Sequence, residues 1–281
     1  MAKRASLIAI SLLALVAAAW WLTRGAVEPS GDRIPPSSET AGAAINPALA
    51  AALNAAPKTP LKLVAPGSGE AFGFELGGGL RAQGRLWRAA DPSAPLLLLL
   101  PDDTTKAVEW QQMVEVLREV RDYHLAAWDG LAHIGASVEG GGQLRHTVVA
   151  EAVLQRMRAT SGLSPAAVGL VGVGNGATAA LLLAAERVDL KATVAISPSP
   201  GLGQLAVATS ASVLARRQLM VVASEGDGPG REVLAGFGDL PHARLVKVVG
   251  KGRGLALLSG DQRQARAING WLYAAMGPVP R

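Results

Sequence analysis

Beyond about residue 70 the apolar positions fall into two alternating textures. Short continuous apolar runs occur at Leu96–Leu100, His124–Trp128, Ala167–Gly172, Ala192–Ser197, Gln218–Ala223 and Ala243–Val249. Between them lie longer stretches patterned for helices: Val108–Val120, Leu144–Thr160, Ala177–Glu186, Leu205–Arg217, Pro229–Phe237 and Gln262–Met276. Ahead of both, Ala71–Leu76 and Leu80–Arg88 predict a hairpin across Gly77-Gly78-Gly79. Continuous apolar strands separated by helices imply a mostly parallel sheet buried on both faces. The expected class is therefore α/β, with a doubly wound sheet whose functional residues lie at the carboxyl ends of its strands. No internal repeat breaks this series.

The first part of the chain has a different character. Lys3-Arg4 precede an apolar to weakly polar run from Ala5 to Leu22, which ends in Trp20-Trp21 and is followed by Arg24. Such a run is long enough to span a bilayer as a helix, and paired tryptophans suit its interface. A cleaved signal peptide is the competing reading, since Ala17-Ala18-Ala19 offers small residues for cleavage. Either way, the expected localisation is membrane-anchored or exported, with the folded part outside the cytoplasm. Residues 25–66 are rich in Pro, Ser, Gly and Ala and read as a tether, with one short helix near Pro47–Ala55. The expected organisation is thus an anchor or signal over 1–24, a linker over 25–66 and one folded domain over 67–281.

Composition narrows the function classes. Of 281 residues, 49% are hydrophobic and 17% charged, which excludes a disordered chain. The 27 Lys and Arg against 22 Asp and Glu give a net charge of only +5, and the Arg residues are scattered. No basic stripe with interleaved aromatics points to nucleic acid. Absence of Cys removes disulfide scaffolds, thiol catalysis and Cys-based zinc sites. No cofactor is expected.

At the end of the strand Ala167–Gly172 the chain reads Gly172-Val173-Gly174-Asn175-Gly176 and then enters a helix. Strand, tight turn and helix with glycine at both outer places frame a nucleophile elbow, whose central residue carries the attacking group. These residues, together with the order of elements over about 70–276, resemble the α/β-hydrolase superfamily. The resemblance is nearest to dienelactone-hydrolase-like and related serine esterases. It implies three catalytic positions. The nucleophile position falls on Gly174, the acid position on Asp227 and the histidine position on Arg253. In the loop that should hold an oxyanion donor stand Pro101-Asp102-Asp103.

Glycine has no nucleophile, and Arg cannot take up a proton at neutral pH. Pro101 has no backbone N–H, and Asp102 and Asp103 are expected to repel a developing oxyanion. The reading is therefore a membrane-tethered domain with no catalytic residues, acting as a binding or scaffolding protein with a protein partner. Two alternatives stay open. One is an active esterase-like hydrolase with relocated residues, drawing on Ser197, Ser199, Ser224 or His133. The other is a small-anion or ligand binder using Asp102, Asn175, Gly176, Asp227 and Arg253, with the helix start and the Arg fork as donors. Arg253 can equally close on Asp227 as an inert ion pair. Gly172-Val173-Gly174-Asn175-Gly176-Ala177 also fits a dinucleotide fingerprint, but no acid ends the next strand to hold a ribose. A metal site drawn from Asp102, Asp103, Asp129 and His133 lacks any close His spacing, and no metal is expected.

Overall fold

In the computed structural model, residues 69–77, 80–134, 142–200, 211–237, 243–259 and 262–277 are described. The Ala5–Leu22 run, the 25–66 tether and the helix expected near Pro47–Ala55 lie outside them. Among the described residues no helix is long and apolar enough to cross a membrane.

Among the described residues eight strands form one sheet: β1 (Glu70–Gly77), β2 (Leu80–Trp87), β3 (Leu96–Leu100), β4 (His124–Trp128), β5 (Val168–Val173), β6 (Leu190–Ile196), β7 (Leu219–Ser224) and β8 (Ala243–Val248). Their spatial order is β1-β2-β4-β3-β5-β6-β7-β8. β1 pairs antiparallel with β2, and β2 antiparallel with β4. Every later pairing is parallel. Among the described residues the helices are α1 (Gln111–Leu117), α2 (Gly142–Arg158), α3 (Asn175–Glu186), α4 (Ala211–Leu214), α5 (Gly228–Phe237), α6 (Ala256–Ser259) and α7 (Gln262–Met276).

The five leucines of β3 show why the strands carry no polar alternation. Leu97 and Leu99 pack on one face with Trp110, Val114, Ile268 and Leu272, under α1 and α7. Leu96, Leu98 and Leu100 pack on the other with Val153, Leu154, Ala180 and Leu183, under α2 and α3. Side chains of a strand alternate between faces, so a strand covered on both sides must be apolar throughout.

The chain leaves β3 toward β4 on one side, and β5 then docks on the other side of β3. Such a reversal opens a crevice at the carboxyl ends of the two strands. The loops beginning at Pro101 and Gly174 meet there.

One expectation is corrected in detail. The stretch Val108–Val120 is not one helix but a 3-10 turn over Ala107–Trp110 followed by the short α1. Glu109 Oε1 accepts the Lys106 N–H at 2.8 Å and tightens that first turn. At the far end the amide of Glu119 reaches back only to the Val116 carbonyl, and the Arg118 guanidinium binds Asp122. Within the expected helix Leu205–Arg217, the described residues hold only α4, and 201–210 lie outside them.

Candidate functional site

The turn from β5 into α3 passes through Gly174, at φ 57° and ψ −123°. Residues with a side chain rarely adopt that backbone, and only glycine does so at small cost. The turn is also tight. A Cβ on Gly176 would strike the backbone carbonyls of Leu100 and Pro101, so α3 lies directly against the end of β3.

The space above Gly174 is filled. A Cβ there would overlap the Asp102 carboxylate, from the loop after β3. Asp102 Oδ1 accepts the backbone N–H of Asn175 at 3.0 Å and that of Asp103 at 3.0 Å. The Asp102 carboxylate thus stands on the two amides themselves. Asp102 is itself the negative group, and Asp103, not Pro101, supplies the loop's amide. Anionic charge at the start of a helix is stabilised by the free N–H groups and the dipole.

Asp103 is turned the other way. Its Oδ1 receives the Nε2–H of the fully buried His146 at 2.8 Å, and its Oδ2 receives the Asn175 side-chain amide at 2.6 Å. Burial opposes its charge, but the His146 and Asn175 contacts outweigh burial and hold its carboxyl below the usual range. Among the described residues His146 Nδ1 has no hydrogen-bond partner. Sequence reasoning missed His146. Its one available signal was a histidine on the inner face of an amphipathic helix.

On the far rim, Arg253 Nε lies 3.7 Å from Asp227 Oδ1. Asp227 is fully buried and Arg253 about half exposed. Asp227 also caps a helix. Its Oδ1 accepts the Gly230 N–H at 3.1 Å while its carbonyl accepts the Arg231 N–H at 2.9 Å, the pattern of a residue at the start of α5. The guanidinium of Arg253 donates to Ser199 Oγ at 2.8 Å, and the Ser199 amide reaches the Gly174 carbonyl at 3.3 Å. Ser197, at φ 53°, accepts the Gly254 N–H at 2.8 Å. The structure thus gathers Gly174, Asn175, Asp102, Asp227 and Arg253 around one rim, and Gly176 buttresses its floor.

The remaining candidates are engaged elsewhere. Ser224 Oγ donates to the Gly252 carbonyl at 2.6 Å. Among the described residues no histidine hydrogen-bonds a serine hydroxyl. Asp129 accepts the Ala107 N–H at 2.8 Å, and His133 Nε2 sits 2.8 Å from the Thr104 carbonyl. Among the described residues no group of three or more His, Asp or Glu is placed to hold a metal. The dinucleotide pattern meets a physical obstacle, because the Asp102 carboxylate stands at the helix start where a pyrophosphate would need to lie.

No protein-family model matches the sequence, and no match was found among curated proteins. Solved structures do match. A dienelactone hydrolase from Anabaena variabilis superposes with a TM-score of 0.59 at 14% identity, covering 74% of this chain and 98% of its own. An esterase of Pyrococcus furiosus gives 0.58 at 12% identity, covering 74% and 93%. A 2,6-dihydroxy-pseudo-oxynicotine hydrolase gives 0.60 at 16% identity, covering 80% and 71%. The chain has an α/β-hydrolase fold. Gly174 lies at the strand-to-helix turn from β5 into α3, and the Asp102 carboxylate fills the space a Cβ there would take.

Proposed function

We propose that this chain is a membrane-tethered α/β-hydrolase-fold domain without catalytic activity that works as a binding or scaffolding protein outside the cytoplasm. One observation carries the reading: the Asp102 carboxylate overlaps the position of any side chain on residue 174. Acyl transfer needs an attacking oxygen at that turn, a base to take its proton and free donors for the oxyanion. Gly174 supplies no oxygen. Arg253 holds its proton at neutral pH. The amides of Asn175 and Asp103 are already committed to Asp102. Tethering is supported by the Ala5–Leu22 run with its flanking Lys3-Arg4 and Trp20-Trp21. What the domain binds is then a protein partner rather than a turned-over ester.

The test uses the full chain in detergent with p-nitrophenyl esters and a fluorophosphonate probe. Turnover at the buffer rate and no labelling are expected. Stoichiometric labelling of any serine would overturn the reading in favour of a relocated nucleophile.

A further inference from the structure

Loss of a nucleophile alone would leave the cradle above Gly174 empty, yet a charged group sits in it. The two amides that meet Asp102 Oδ1 come from different segments, Asp103 from the loop after β3 and Asn175 from the first turn of α3. The second carboxylate of the loop is spent on holding those segments together. Asp103 ties the Asn175 side chain to buried His146, so the donors keep their aim independently of Asp102. Gly174 completes the shape, because any side chain there would displace the carboxylate. The result is a carboxylate site built from fixed donors and occupied from within.

We propose that Asp102 is an internal anionic plug, an autoinhibitory contact in which the chain's own carboxylate closes a two-amide cradle that accepts a small carboxylate when the plug is removed. A tethered group competes at an effective concentration on the order of millimolar or more, so a free carboxylate at lower concentration does not displace it. The intact protein is then closed to anions at this point, and its binding surface for a partner lies elsewhere. This goes beyond the loss of catalysis, and its test reads binding rather than turnover.

The experiment compares the full chain with Asp102→Ala, Asp102→Ser and Asp102→Asn, by thermal midpoint and calorimetric titration. Sodium acetate and sodium formate are the probes, with sodium chloride at matched ionic strength as control. Asp102→Ala and Asp102→Ser should be destabilised in chloride and gain a saturable rise in midpoint with acetate, binding it about tenfold or more tightly than the native chain. The native chain and Asp102→Asn should show no such rise, because a side-chain oxygen still meets both amides. Folded Ala and Ser variants, judged by near-ultraviolet circular dichroism, with no saturable carboxylate effect overturn the proposal. So does acetate binding by the native chain as tight as by the variants. Variants that fold in neither salt count against it too, since added carboxylate should replace the one removed. None of these results bears on ester turnover, so the non-catalytic reading is judged separately.

Discussion

Asp102 and Gly174 share one volume: the carboxylate of the first lies where a Cβ of the second would stand. Either residue alone has a bland explanation, an acid in a loop or a glycine in a turn. Together they are complementary, and a change at one alters what the other tolerates.

Gly174→Ser should therefore destabilise the domain through two separate costs. Placing a side chain at φ 57° costs about 1–3 kcal/mol. Overlap with Asp102 adds a further cost of about 1–3 kcal/mol. Asp102→Gly removes the second cost and leaves the first. A double-mutant cycle in urea should show coupling of about 0.5–3 kcal/mol, with the pair more stable than the sum of its parts predicts. Strict additivity would mean that the carboxylate moves aside freely.

The same overlap sets the order in which catalysis can be rebuilt. Gly174→Ser with Arg253→His restores the missing residue types but leaves Asp102 on the Asn175 and Asp103 amides. That double variant should stay unlabelled by a fluorophosphonate. Adding Asp102→Gly frees both donors, and labelling of the new serine should then appear. Equal labelling rates in the double and triple variants would remove Asp102 from the account.

Much of this architecture was legible in the sequence, and the reason is burial. Strands covered on both faces must be apolar along their whole length, so Leu96–Leu100 and His124–Trp128 could be bounded to the residue. The turn from β5 into α3 was legible because a tight strand-to-helix turn needs glycine at fixed places. The role of Asp102 was not. Its charge suggested repulsion of an anion, whereas its reach depends on the bend after Leu100, which no periodic pattern encodes. The two residues stand 72 positions apart in the sequence, and only the fold brings the Asp102 carboxylate over Gly174. The four-residue α6 escaped notice because it is too short to show a helical period.

Asp227 works as a helix cap at the start of α5. Asp227→Ala should cost about 1 kcal/mol or more, because the Gly230 amide loses its acceptor at the start of α5. Asp227→Asn keeps an oxygen for that amide and should cost less. Arg253→Ala should change stability by less than about 1 kcal/mol, since the guanidinium is half exposed and 3.7 Å away. Urea midpoints decide the order. An Asn variant as damaged as the Ala variant would show that the charge pair, not the cap, is what Asp227 provides.

His124 gives the domain a built-in sensitivity to mild acid. Its ring is buried, with Nδ1 accepting the Ala89 N–H at 3.0 Å and Nε2 within 3.2 Å of the Pro92 carbonyl. A neutral ring satisfies both contacts, donating from Nε2 and accepting at Nδ1. A second proton would set one N–H against another. Burial holds the pKa below the ordinary 6.5, with Asp122 pulling it up and Arg88 pushing it down. The unfolded chain therefore takes up the proton first. Stability is complete above about pH 6.5 and is lost as the pH falls from there through the folded value. Asp103 adds its own loss only at lower pH, since its depressed pKa keeps it charged. Urea unfolding at about pH 7.5 and about pH 5 should show a larger drop for the native chain than for His124→Gln, which does not titrate in that window. Equal drops would place the acid sensitivity on another group, and His124 would be only a packed polar side chain.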